Sequence, residues 1–490
     1  MRIWPLFVLF VFTVIFCSLP AKGGTVFDSL CELLATNTPP VSPTNILPES
    51  PSGELTEVGD GSFWGVTSLE KSDSTSTSFG SIYRVTKTGV LTRIFTFNGT
   101  NGLTPSGALT LGSDGNLYGT TLYGGTNGSF GVIPILNGTI YNITTNGVFT
   151  KLFAFNGTNG SNPNGALAVD NAGNFIGVAR YGGVAYSGSQ TGNGTIFKFT
   201  TNGIFTKLFD FGGTNGAGPI QIALSAADGN FYGVTAHGGI GYTGPGTGNG
   251  TIFRFTTNGV FTNLVYFNGT NGSWPFSNLT IGDDGSMYGA TTIGGQFNNY
   301  GTIYRVTKDG GFTTLYSFDG SVGVKPNSKL VFGVDGNMYG TTPYRDTNLL
   351  TGNGAIYEIT TNGVPTQLAV FGGTQGRRPT LGMTLGSDGN LYGALNDRLG
   401  QLYTNGSSGA IYRLVQQPAL NAPMPTINGG AVVSWTSFTN AVYQVEYNTD
   451  LAFTNWTVLA TNVISTSNSV SYIDSSLNST RRFYRVRLVP

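Results

Sequence analysis

The sequence predicts an all-β chain: a seven-bladed β-propeller of four-stranded blades followed by a small β-sandwich. Three observations carry this. A motif of the form Asp-Gly-Asn/Ser-apolar-aromatic-Gly returns at near-constant spacing. Asp-Gly and Asn-Gly pairs punctuate short alternating segments, as tight hairpin turns require, because those turns need positive φ. The composition suits strands and turns: 75 of 490 residues are glycine, 12% are aromatic and only 10% are charged, against about 25% charged in an ordinary domain.

The first segment reads as an address. Arg2 precedes an apolar run from Ile3 to Leu19, and Ala21-x-Gly23 supplies small residues for cleavage after Gly23. Residues 1–23 are therefore expected to be a secretory signal peptide, and the protein to be secreted or held at the cell surface. No second apolar stretch of spanning length follows, so no membrane span is expected after its removal. Cys17 leaves with the signal, and Cys31 alone cannot form an internal disulfide, so core packing must hold the fold. Lys plus Arg equals Asp plus Glu at 24 each, which argues against a nucleic-acid partner.

The repeat fills residues 25–415. Its first motif starts at Asp60, Asp114, Asp228, Asp284, Asp335 and Asp388, with a degenerate copy at Ala172; the steps are 54, 58, 56, 56, 51 and 53 residues. A second motif, of the type GTIYRVT, starts at Gly80, Gly138, Gly194, Gly250, Gly301, Gly354 and Gly409. A third, of the type Phe-Thr-x-Leu-x-x-Phe-Asn-Gly-Thr-Asn-Gly, follows the first six copies. In the second copy the strands are expected at Gly107–Leu111, Leu117–Leu122, Thr139–Ile143 and Val148–Phe155. Four antiparallel strands per repeat, in tandem, make propeller blades. The seventh copy lacks its fourth strand, and TVFDSLCELL at 25–34 has the fourth-strand pattern. That segment is expected to complete the last blade and latch the ring.

The stretches DGNLYGTT, GTIYRVT and FTTLYSFDG resemble the GloVer tandem-repeat proteins of bacteria, an exported family with varied C-terminal anchors. The strand order also resembles the streptogramin-lyase type of propeller. These resemblances imply fold and export; they carry over no catalytic residue. Three prolines between Pro418 and Pro425 mark a linker over 416–428. Residues 429–490 (VVSW, YQVEY, NWTVL, FYRVRLV) resemble a fibronectin type III sandwich, with Trp435 in its core and the family's final strand missing.

Few residues speak of chemistry. The motif aspartates are expected to cap their own turns, and the motif aromatics (Trp64, Tyr118, Tyr232, Tyr288, Tyr339, Tyr392) to fill the inter-blade core. His237 is the single histidine and is expected to be a loop residue. HExxH, G-x-S-x-G and phosphate-loop patterns are absent, so no cofactor, metal or catalytic residue is expected. The inner-strand stretches (SNLTIGD, SKLVFGV and their counterparts) show almost no charge, which counts against catalysis in a central pocket.

Binding is expected on the face that bears the long second-to-third-strand loops. Tyr123, Tyr181, Tyr186, Tyr242, Tyr300, Tyr344 and Tyr403 lie there. The charged residues Arg345, Asp346, Arg377, Arg378, Asp397 and Arg398 gather in the connections of the sixth and seventh copies, and with Tyr344 and Tyr403 form a candidate ligand rim for an acidic group. The expected function is that of an exported, non-enzymatic binding or surface-structural propeller, a monomer that recognises carbohydrate or protein. The alternative is an exported polysaccharide lyase or glycosidase, which needs converging carboxylates or a carboxylate with a base.

Overall fold

A computed structural model describes residues 26–33, 50–68, 79–125, 137–188, 190–224, 228–256, 258–297, 299–345, 354–371, 379, 381–395, 409–415, 424–425, 431–436, 442–448, 456–464, 469–475 and 483–489. The signal segment and its cleavage point at Gly23 lie outside them. Among the described residues the chain is all-β, and none forms a helix long and apolar enough to cross a membrane.

Seven four-stranded antiparallel sheets form the propeller. Blade 2 shows the plan: Leu103–Leu111 innermost, then Leu117–Tyr123, Thr139–Ile143 and Phe149–Ala154 outermost. The inner strand starts four residues before its expected beginning at Gly107. In the seventh blade Thr384–Leu385, Leu391–Leu395 and Gly409–Val415 are followed at the outer edge by the N-terminal strand Val26–Leu33. Val26 pairs with Val415 and Leu33 with Gly409, with one bulge between Ser29 and Cys31. The last blade is thus built from both ends of the propeller sequence, which leaves its third strand no bare edge.

The turn motif explains itself in local chemistry. Asp114 Oδ1 accepts the Asn116 amide at 3.1 Å, and its Oδ2 accepts the Tyr118 hydroxyl at 2.8 Å. The same amide bond recurs at Asp60, Asp228, Asp284, Asp335 and Asp388. In the degenerate third copy Asp170, two residues earlier, accepts the amides of Ala172 and Asn174 instead. The motif aromatics are buried, with Trp64 at 1% exposure and Tyr392 at 0%. The motif's last glycine is required by packing: a Cβ on Gly119 would overlap the buried Tyr141 hydroxyl, so the third-strand aromatic lies directly on backbone.

Blades are sewn to one another by repeated contacts. Outer-strand rings stack in parallel, Phe95 on Phe149 at 4.0 Å and Phe153 on Phe205 at 4.1 Å. Inner-strand threonines reach the next blade's carbonyls: Thr56 Oγ1 to Leu109 O at 2.5 Å and Thr110 Oγ1 to Leu167 O at 2.9 Å. The seam between blades 7 and 1 uses the same bonds, with Thr384 Oγ1 to Leu55 O at 2.6 Å and the Tyr392 and Phe63 rings 4.2 Å apart. Each fully buried aromatic contributes about 1.5–3 kcal/mol of transfer free energy, so these repeated layers carry the ring's stability.

Beyond the propeller, Met424–Pro425, Ala431–Thr436 and Ser469–Asp474 form one three-stranded sheet, and Val442–Asn448, Thr457–Ile464 and Phe483–Val489 another. Val433, Trp435, Tyr443, Val445 and Val486 share one core.

Candidate functional site

The seven inner strands surround a central cavity of about 160 Å³. Its lining is set by register. Nine residues before each turn motif stands a proline: Pro51, Pro105, Pro163, Pro219, Pro275, Pro326 and Pro379. Three places after the proline come Glu54, Ala108, Ala166, Ile222, Asn278, Lys329 and Gly382. Glu54, Asn278, Lys329 and Gly382 line the cavity, with Gln221, Asn164 and Ser106 from neighbouring positions.

This corrects the expectation that the inner strands bring almost no charge to the channel. Glu54 Oε2 lies 3.9 Å from Lys329 Nζ, and the two side chains are 16% and 33% exposed. Burial pushes the Glu54 carboxyl above its ordinary pKa, against the opposing pull of the Lys329 charge and a hydrogen bond with Asn278. Both residues were present in the sequence, Lys329 inside SKLVFGV. What the pattern hid is that Glu54 of blade 1 reaches past blade 7 to Lys329 of blade 6. Glu54 is the one carboxylate among the described lining residues. Paired carboxylates for glycoside hydrolysis are therefore not assembled among them; a single carboxyl beside an ammonium group is.

The backbone just before the proline has a second regularity. Thr104, Asn162, Gly218, Trp274 and Lys325 take φ values of 56°, 55°, 61°, 55° and 60°. The N–H of each donates to a carbonyl of the preceding blade: Phe79, Asn137, Asn193, Asn249 and Tyr300 respectively. This inter-blade bond imposes the left-handed conformation whatever the side chain. Asn and Gly tolerate it, whereas Trp and Lys accept about 1 kcal/mol or more of strain.

The loop tyrosines are staples more than exposed platforms. All six described ones are half-buried. The Tyr186 ring covers Gly157 and its hydroxyl donates to Asn137 Oδ1 at 3.1 Å; Tyr242 covers Gly213 and donates to Asn193 Oδ1 at 2.9 Å. Aromatics that do project on this side include Phe297, 48% exposed, and Trp274, 37% exposed; sequence reasoning passed over both, and the place of Trp274 before an inner-strand proline was the available signal. His237 ends the strand Phe231–His237 instead of lying in a loop. Its ring stands edge-on to Trp274 at 5.5 Å and to Phe276 at 6.0 Å.

Of the candidate rim at blades 6 and 7, Tyr344 is half-buried and Arg345 exposed. Asp346, Arg377, Arg378, Asp397, Arg398 and Tyr403 lie outside the described residues. No group of three or more His, Cys, Asp or Glu able to hold a metal occurs among the described residues.

Among solved structures, the chain is similar to a Xanthomonas campestris gluconolactonase at 12% identity, covering 77% of this chain and 98% of that one, TM-score 0.38. It is similar to a putative oxidoreductase (glucose dehydrogenase) of Thermus thermophilus at 15% identity, covering 80% and 100%, TM-score 0.38. It is also similar to the polysaccharide lyase Uly1 at 9% identity, covering 74% and 90%, TM-score 0.47. The search of curated proteins gave no match. The model of the Gloeobacter/Verrucomicrobia repeat matches residues 23–185, 183–350 and 246–422, most of the chain, and the protein belongs to that repeat family.

Proposed function

We propose that this protein is an exported binding propeller that recognises carbohydrate or protein through the face bearing its second-to-third-strand loops. The observation that carries the reading is the contrast between the two faces. One is closed by short turns, Asp-Gly or Asn-Gly at most positions, with Ala172-Gly173 in blade 3 and Thr88-Gly89 in blade 1. The other varies from blade to blade in loop length and in the residue at the left-handed position, from the buried Thr104 and Asn162 to the exposed Trp274 and the half-buried Lys325. A scaffold that repeats while one face varies is a scaffold for recognition. The apolar run at 3–19 supports export. The two C-terminal sheets around Trp435 support a fibronectin type III-like module at 429–490. The exposed Arg345 supports an acidic-ligand rim at blades 6 and 7.

One observation favours a second reading, an enzyme acting on polysaccharide: the raised carboxyl of Glu54 beside Lys329 in the channel. A glycan array, paired with a polysaccharide panel assayed for released sugars, tests the two together. Saturable binding without release supports the first reading. Release that is lost in Glu54→Gln supports the second.

A further inference from the structure

A cluster of Arg180, His237, Trp274 and Phe276 stands at the channel rim, between blades 3, 4 and 5. Arg180 stands at the end of the strand Phe175–Tyr181. Its guanidinium carbon lies 5.3 Å from the centroid of Phe276 and 5.6 Å from that of Tyr181. Its Nε is buried without a hydrogen-bond partner, and no carboxylate among the described residues forms a salt bridge with it. His237 Nδ1 is likewise buried without a partner. Burial, and then the Arg180 charge, hold this imidazole below its ordinary pKa, so it is neutral at neutral pH and offers one donor and one acceptor. Trp274 stands next to it, exposed, at a backbone position that disfavours its own side chain. Phe276 continues from the cluster into the cavity lining, where Gln221 and Asn278 add amides.

Three chemistries therefore meet in one place: a partly exposed indole, an arginine whose charge no carboxylate among the described residues neutralises, and a neutral imidazole with a buried ring nitrogen that has no hydrogen-bond partner. An indole face packs on the C–H side of a pyranose. A guanidinium matches a carboxylate with its fork of donors. An imidazole and amides suit ring hydroxyls. We propose that the rim formed by Arg180, His237, Trp274 and Phe276 binds a sugar that carries a carboxylate, with the pyranose on Trp274 and the carboxylate on Arg180. The inference rests on the binding reading above and names its ligand class and site.

The experiment uses the mature full-length protein and affinity electrophoresis in gels containing polygalacturonate, alginate or glucuronoxylan. Fully methyl-esterified polygalacturonate, a sulfated galactan and dextran serve as comparison polymers. The wild type should be retarded by at least one uronate polymer. Where that polymer is polygalacturonate, esterification should weaken binding tenfold or more. Two variants suit their backbone sites. Trp274→Gly places the residue of Gly218 at the same φ, and Arg180→Leu places the residue that blade 2 has at Leu122. Each should weaken retardation tenfold or more with an unchanged melting temperature. Retardation by none of the uronate polymers overturns the ligand class, as does equal binding of the esterified polymer or binding of the sulfated one alone. Unchanged binding in both variants overturns the site. Binding confined to dextran or to a protein ligand sinks this inference while the binding reading stands; sugar release from the polymer sinks the binding reading itself.

Discussion

Gly382 of blade 7 is the opening through which Glu54 of blade 1 approaches Lys329: a Cβ on Gly382 would stand 2.5 Å from Glu54 Oε1. A glycine at this one point of the inner ring lets a side chain span two blade junctions. It also sets the only ion pair described in the channel lining.

Gly382→Ala should therefore dislodge Glu54, since the added methyl also crowds its Cδ and Cγ. A loss of about 1–3 kcal/mol is expected from overpacking. Chemical denaturation of Gly382→Ala, Glu54→Gln and the double variant checks it. The effects of the two substitutions should be strongly non-additive; simple additivity would show that the residues do not share this space.

The same carboxyl predicts a pH effect. Its folded-state pKa is raised, mainly by burial. Its contribution to stability is thus fully present below the unfolded pKa of about 4.3 and is lost as pH rises through the folded value. Glu54→Gln should be more stable than the wild type at neutral pH, and the gap should close below about pH 4. Thermal melts across pH 3–8 read this directly.

The turn aspartates act in the opposite sense. Two hydrogen bonds from Ser62 lead in holding Asp60 below its usual pKa. At Asp114 burial raises the pKa, but bonds from Tyr118 and Asn116 outweigh it and the net direction is down. Their stabilisation is present above the unfolded pKa, about 3.9, and is lost as pH falls through the folded values. The wild type should accordingly lose stability in acid. Asp114→Ala should cost about 1–2 kcal/mol through the lost amide and hydroxyl partners, and Tyr118→Phe in the same chain should recover part of it.

Removal of residues 26–33 should destabilise the ring sharply, because the strand Gly409–Val415 then offers an open edge. The measurement is the melting temperature and the soluble fraction of the truncated protein. A separate truncation at residue 418 should leave propeller melting unchanged if the C-terminal sheets fold independently.

Much of this architecture was legible because its determinants are local. Asp114, Gly115 and Asn116 specify their turn by themselves, and Tyr118 and Gly119 specify what packs beside it. The inner strands were less legible: Leu103 to Ser106 join the sheet in blade 2, while in blade 5 Ser273 makes only an isolated bridge with Ile293 and the strand itself is Thr280–Ile281. The site was hardest to read. Glu54 and Lys329 stand 275 residues apart in the sequence, and their meeting depends on ring closure and on a missing side chain at Gly382. Trp274 looked like one aromatic among many until its φ and its neighbours His237 and Phe276 were known.

The measurement that tests the central claim most directly is isothermal titration of the mature protein with whichever polysaccharide the array identifies, with reducing ends and unsaturated products assayed in the same cell. A recognition propeller predicts heat that saturates and then stops, with no product. Sustained heat flow with accumulating product, abolished by Glu54→Gln, would contradict the account and assign the channel to catalysis.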